Sequence, residues 1–173
     1  MTGDLRRQLI LRELSNAEKP IAARKFAESF KLSRQIIVGD IALLRAEGHP
    51  ILATNKGYLI KEESNSGVRK YLAMHHGIDE TRLELEIFVK HGVIVESVTV
   101  EHPVYGEITG QLNIKTREDI DDFLSQKAEL LSALTEGIHI HTVLCKNEEN
   151  YIEVKKELAE NNLLYQSNES IKR

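Results

Sequence analysis

Ser33-Arg34-Gln35-Ile36-Ile37-Val38-Gly39-Asp40-Ile41-Ala42-Leu43-Leu44-Arg45 (SRQIIVGDIALLR), followed by residues 51–60 (ILATNKGYLI), decides how the first third of this 173-residue chain is read. Ser33 is a capping residue, because its hydroxyl can accept an otherwise unpaired backbone N–H at a helix start. Ile36, Ile37, Ile41, Leu43 and Leu44 supply the apolar positions of the helix, and the first three are expected to face a core. Gly48 ends it. In residues 51–60 two β-prone runs flank Asn55-Lys56-Gly57, which is a hairpin signal. Upstream, Leu5, Ile10, Leu11 and Leu14 recur at helical spacing. Pro20 opens a second helix carrying Ile21, Ala22, Ala23, Phe26, Ala27 and Phe30, and Lys31-Leu32 forms a turn. Three helices and a hairpin over residues 1–62 are the layout of a winged helix-turn-helix.

In a helix-turn-helix the first residues of the second helix reach base edges in the major groove. Here these are Ser33, Arg34, Gln35 and Val38. Arg pairs with guanine and Gln with adenine, each through two hydrogen bonds. Lys31, Arg45 and Lys56 are spaced to meet phosphates, Lys56 from the tip of the wing. The charge pattern agrees: residues 1–62 carry 11 Lys/Arg against 7 Asp/Glu, a net +4, and the remainder carries 12 against 20, a net −8. A basic first third suits a phosphate-binding face. The same features also fit a solvated helix face or a three-helix unit that contacts proteins.

At 41% apolar and 29% charged, the composition is that of an ordinary globular protein. There is no apolar run of about 18 residues and no secretory signal pattern, so no membrane partner and a cytoplasmic location are expected. Cys145 is the only cysteine, which excludes an internal disulfide.

Residues 62–67 (EESNSG) are polar and read as a linker. Beyond them, residues 68–75 and 80–91 read as helices, and 93–100 (VIVESVTV) and 108–114 (ITGQLNI) as paired strands. Thr116 caps a helix running to about residue 134. Residues 138–144 (IHIHTVL) read as a strand, 148–161 as a helix and 163–165 as a short last strand; the tail from Gln166 is polar. The whole chain is α+β: a winged helix-turn-helix over 1–62, then a small mixed α/β sensor domain over 68–166.

Six of the seven histidines lie in that second part: His75, His76, His91, His102, His139 and His141. In a strand, His139 and His141 point to one face, which makes half of a metal site. His76 and Glu84 straddle a helix start and can converge on the same ion. Nitrogen and carboxylate donors suit Zn, Ni, Fe or Mn. A His-x-His strand with no ligand role remains open. His91 reads as a helix-end histidine and His75 as a bystander. In the turn His102-Pro103-Val104-Tyr105-Gly106, His102 offers a donor and Tyr105 a stacking ring to a small aromatic ligand, or the histidine is incidental to the turn.

These stretches carry a resemblance. Ser33-Arg34-Gln35, Asp40-Ile41-Ala42-Leu43-Leu44-Arg45, Ala53-Thr54-Asn55-Lys56-Gly57-Tyr58, Glu101-His102-Pro103-Val104-Tyr105-Gly106 and Gly137-Ile138-His139-Ile140-His141-Thr142 resemble the niacin-responsive repressors, which join a winged helix to a three-histidine (3H) domain. The resemblance implies a cytoplasmic homodimer that binds double-stranded operator DNA and represses genes of NAD biosynthesis or niacin uptake, with nicotinic acid as co-repressor. It implies a divalent transition metal, Ni or Zn above others, on His76, Glu84, His139 and His141. His76 is preferred to His75 because it keeps the eight-residue spacing to Glu84. His102, with Tyr105, is the candidate contact for nicotinate. Three alternatives remain: a metal-responsive regulator with no organic ligand, a metal-dependent hydrolase, and a pure interaction module. Against the hydrolase, Glu84 serves as a ligand and no obvious base is left, so the chain is read as a regulator and not an enzyme.

Overall fold

The computed structural model describes residues 1–61, 67–125 and 130–166. The expected linker and tail lie outside these, apart from Gly67 and Gln166. The chain divides into two compact units, Met1–Glu63 and Ser64–Arg173, each with its own core. No helix among the described residues is long and apolar enough to cross a membrane.

The first unit runs α1 (Gly3–Asn16), α2 (Ala23–Phe30), α3 (Arg34–Ala46), β1 (Ile51–Thr54) and β2 (Gly57–Ile60). The Thr2 hydroxyl accepts from Leu5 N–H at the start of α1, and Ser33 accepts from Ile36 N–H at the start of α3, both at 3.3 Å. The helix expected from Pro20 starts later, at Ala23. Ile21 is instead extended and exchanges two 2.8 Å backbone hydrogen bonds with Tyr58, adding a third strand to the wing. Gly57 allows this close approach: its φ is +133°, and a Cβ there would collide with the backbone of Ile21.

On α3, Ile37, Ile41 and Leu44 fall on one face and join Ile10, Leu14, Phe26 and Ile51 in the core. Ile36 and Leu43, expected among the apolar positions, share the opposite stripe and are 42% and 51% exposed. Seven residues apart, they cannot turn inward while Ile37 and Leu44 do. Leu5 is likewise exposed. The core face of α3 also carries a carboxylate. Asp40, 4% exposed, accepts from Arg6 Nε at 2.5 Å and Arg6 Nη2 at 3.0 Å, with Arg7 Nη1 at 3.3 Å. A two-pronged guanidinium–carboxylate pair fixes orientation as well as distance, so it ties α1 to α3 at one angle.

The second unit contains β3 (Val68–His75), α4 (Thr81–Lys90), β4 (Ile94–His102), β5 (Gly106–Ile114), α5 (Arg117–Ser125), β6 (Ile138–Cys145) and α6 (Glu148–Glu160), with 3-10 turns at Ile78–Glu80 and Leu131–Thr135. The four strands form an antiparallel sheet in the order β5-β4-β6-β3. The three helices cover one face over a core that includes Met74, Leu85, Phe88, Val95, Ile114, Ile120, Val143 and Leu158. The other face exposes Tyr71, Ile138 and Ile140.

Residues 68–75, expected as a helix, are a strand. Arg, Lys, Leu, Ala and Met all favour helix locally, but Val68–His75 pairs with Cys145–Ile138 at all eight positions and buries Leu72 and Met74 in alternation. Tertiary pairing overrides propensity here. The helix capped by Thr116, whose hydroxyl accepts from Asp119 N–H at 3.1 Å, is described as far as Ser125, and Leu131–Thr135, within the reach of the expected helix, is a 3-10 turn instead. Residues 126–129 of that expectation lie outside the described residues. The short strand expected at 163–165 is a single bridge between Leu164 and Met74.

Asp40→Asn leaves a poorer acceptor for two guanidinium groups in a mostly buried position. It is expected to cost about 1–3 kcal/mol of the first unit's stability, measured as a shift in urea midpoint without a change in slope.

Candidate metal centre

Within the second unit, His76, Glu84, His139 and His141 converge beneath the sheet. All are buried, at 7%, 0%, 3% and 4% exposure. Glu84 lies in the first turn of α4, where the helix dipole favours a carboxylate. His139 and His141 point inward from β6 because they alternate with Ile138 and Ile140. His76 continues the inward parity of Leu72 and Met74 just past the end of β3, and His75 faces out toward Tyr165.

Glu84 Oε2 contacts His76 Nε2, and Glu84 Oε1 contacts His141 Nε2. His139 Nε2 is 3.3 and 3.4 Å from the two carboxylate oxygens. Donor atoms of His76, Glu84 and His139 all lie within 4.8 Å of one another. The far side of each ring is held by backbone. Nδ1 of His76 is 2.9 Å from the carbonyl of Gly77, that of His139 is 2.9 Å from Gly137, and that of His141 is 3.0 Å from Ser97. Each Nδ1–H donates to its carbonyl, which leaves an Nε2 lone pair aimed at the centre.

Three lone pairs then face an acceptor-only carboxylate in a buried site. Such a set is satisfied by a cation at its centre, or by protons on the imidazoles. Three imidazoles and one carboxylate fit a divalent transition metal, with no soft thiolate to select otherwise. Burial alone would push the Glu84 carboxyl up. The charge of His141 and the hydrogen bonds of His139 and His141 outweigh it and hold the group well below the usual carboxylate range. Burial lowers His141, but Glu84, helped by the Ser97 carbonyl, raises it overall.

Two backbone features make this geometry. A β-bulge between Val95 and Ser97 shifts the register of β4 against both neighbours and aims the Ser97 carbonyl at His141. Gly137, at φ +91°, sits so close that a Cβ would collide with the carbonyl of His76.

Beside the cluster lies a cavity of about 30 Å³, room for roughly two waters. Its walls are mainly apolar, with Leu85, Val98, Leu112, Phe123 and Leu131 joining the four cluster residues. Thr81 and Ser132 add two buried hydroxyl-bearing side chains. Sequence reasoning did not single out these lining residues, the bulge or the Ser97 carbonyl. Their one sequence signal is the broken alternation of valines at 93, 95, 98 and 100.

The structure does not bring His102 or Tyr105 to the cavity. They form the tip of the β4–β5 hairpin, where His102 Nδ1 accepts from Val104 N–H at 3.1 Å and Tyr105 N–H at 3.3 Å, and Tyr105 is 77% exposed. His102 orders its own turn. His91, at the C-terminus of α4, pairs with Glu157 at 3.1 Å. In the first unit Ser33 caps α3 as an acceptor, which leaves its hydroxyl proton to donate, and Arg34, Gln35 and Arg45 are exposed on α3. Lys56 is half-buried in the wing turn.

A winged helix-turn-helix, followed by a second unit with a buried histidine–carboxylate cluster beside an apolar cavity, is the layout of a two-domain transcription regulator. Comparisons with known proteins give its family. Residues 6–59 match an HTH domain and residues 69–167 a 3H domain. The chain is 34% identical over 171 residues to the transcription repressor NadR of Bacillus subtilis (strain 168), covering 95% of each chain. It is 36% identical over 159 residues to a probable transcription repressor NiaR of Thermotoga maritima, covering 90% of each. An uncharacterized protein of Methanothermus fervidus is 34% identical over 107 residues, 17% of that protein's length. The chain belongs to the 3H-domain family, in its helix-turn-helix repressor branch, and is a regulator and not an enzyme.

Gly137→Ala needs a strained φ and displaces His76. It is expected to weaken metal affinity roughly 10- to 100-fold, read as metal retained after dialysis against a graded chelator. In metal-stripped protein the raised His141 contributes stability that is complete below the ordinary histidine value and is lost as pH rises through the folded value. The lowered Glu84 contributes stability that is present above the ordinary carboxylate value and lost on strong acidification. Metal-stripped protein should therefore melt highest at mildly acidic pH, checked by thermal unfolding between about pH 4 and pH 9.

Proposed function

We propose that this chain is a nicotinic-acid-responsive repressor of NAD biosynthesis or niacin uptake genes. In this reading His76, Glu84, His139 and His141 hold a divalent metal, Ni or Zn, and the adjoining cavity takes the effector. The single observation that carries it is the cluster itself: three inward Nε2 lone pairs around one buried carboxylate, opening onto an apolar cavity. Bound there, a divalent cation supplies a Lewis-acidic site for a carboxylate or pyridine nitrogen. It also leaves one net positive charge, which favours a monoanion. The apolar walls suit a flat ring.

A cavity of about 30 Å³ is smaller than nicotinate. Entry of the ring therefore pushes Phe123 and Leu131 apart, and that displacement distinguishes the ligand-bound state from the free one. A ligand shifts an equilibrium only through such a difference. On the DNA side, Ser33, Arg34 and Gln35 meet base edges, and Arg45 and Lys56 meet phosphates. The protein acts as a cytoplasmic homodimer, two winged helices matching two half-sites. The exposed sheet face bearing Tyr71, Ile138 and Ile140 supports an association surface.

The test is calorimetric titration of metal-loaded and metal-stripped protein with nicotinic acid, paired with gel-shift assays on a duplex selected by the protein from random DNA. Binding only in the loaded sample, with operator affinity raised roughly 5- to 150-fold by nicotinate, is the expected result. DNA affinity that follows the metal and ignores nicotinate would transfer the reading to a metal sensor. Arg34→Ala should weaken binding to the selected duplex by about 1–3 kcal/mol, with preference lost at one base pair.

A further inference from the structure

Thr81 is the first residue of α4 and is 7% exposed. It lines the cavity beside Glu84 and Leu85, three and four residues on, which places all three on one helix face. Its hydroxyl has no hydrogen-bond partner among the described residues. A buried hydroxyl without a partner destabilises the protein that carries it. Threonine at a helix start ordinarily caps an N–H or bonds back to a carbonyl of the preceding turn. Thr81 does neither, and the cap position before it, Glu80, makes no side-chain cap either.

We infer that Thr81 is a specificity-determining residue, its hydroxyl donating to the carboxylate of a small aromatic monoacid bound in this cavity. This rests on the proposed function, since it names how the effector is read within the same site. Two independent observations converge. One is the unpartnered buried hydroxyl of Thr81, a more than nine-tenths buried residue that lines the cavity. The other is the N-terminal end of the ten-residue helix α4, whose dipole favours an anion at that end. A ring lying along Val98, Leu112, Phe123 and Leu131 would present one polar group to the cluster and reach Thr81 with another. A hydroxyl both donates and accepts, but the local positive field selects the charged acceptor. Thr81 thus has no protein partner for its hydroxyl in the free protein and gains one when the acid is present.

The experiment compares nickel-loaded wild type, Thr81→Val, Thr81→Ala and Thr81→Ser by calorimetry with nicotinic acid, with nickel content and ligand-free melting temperature measured for each. Thr81→Val keeps the shape and deletes the hydroxyl. It should keep its nickel, melt at or above the wild-type temperature without ligand, and bind nicotinic acid roughly 10- to 100-fold more weakly. Thr81→Ser should stay within about threefold of wild type, with Thr81→Ala as weak as the valine variant. A nickel-loaded valine variant that binds like wild type overturns the inference and leaves the proposed function standing. A valine variant that unfolds or sheds its nickel marks the hydroxyl as structural and also overturns it, unless alanine and serine still separate as stated. Wild-type protein that binds no nicotinic acid removes the proposed function and this inference together.

Discussion

The second unit is organised around one buried carboxylate. Glu84 is fully shielded from water and surrounded by three imidazoles. An uncompensated charge in that position would cost several kcal/mol, so its surroundings have to answer it. Much of the local backbone does. The bulge in β4 delivers a carbonyl to His141, Gly137 passes close against His76 and offers its carbonyl to His139, and the residue after His76 supplies the third carbonyl. Each carbonyl fixes one tautomer, and three fixed tautomers define one centre. The imidazoles are therefore the visible part of an arrangement made by backbone.

This constraint explains why β6 looks inverted. A strand with one face in the core normally buries its aliphatic residues and exposes its polar ones. Here His139 and His141 go in, and Ile138 and Ile140 stay 43% exposed. A one-residue slip would bury two isoleucines and gain at most about 1.5–3 kcal/mol for each. It would also break eight register positions with β3 and strand Glu84 without partners. The register is held by the polar set, against the local hydrophobic preference.

Much of this could be read from the sequence, and the misses have physical causes. The His-x-His pair needed only strand parity. The winged helix needed only three apolar periodicities and a turn. Residues 68–75 were misread because their side chains favour helix and their partner strand lies some seventy residues away, where local pattern carries no information. That miss had a consequence: read as a strand, Leu72, Met74 and His76 fall on one parity, and the doublet His75-His76 resolves without appeal to spacing. The bulge left a trace in the valines at 93, 95, 98 and 100, but a broken alternation does not say which carbonyl it redirects. Ile36 was misassigned for a simpler reason. A run of apolar residues hides which of them face inward, and only the helical angle separates Ile36 and Leu43 from Ile37 and Leu44.

The fixed tautomers also set what the centre of the cluster can accept. With each Nδ1–H committed to a carbonyl, the Nε2 positions accept either protons or a metal. Under the proposed function, a divalent cation at the centre would take the place of protons there. Small metal-dependent domains lack a core of their own and unfold when stripped. Here Phe88, Ile120, Val143 and Leu158 are packed without help from the centre's donor atoms. A site of this kind is suited to sensing: occupancy changes the charge and polarity of a pocket inside a scaffold that persists. Under the proposed function the core would carry the geometry, and the few side chains at the cavity, Thr81 among them, would carry the response.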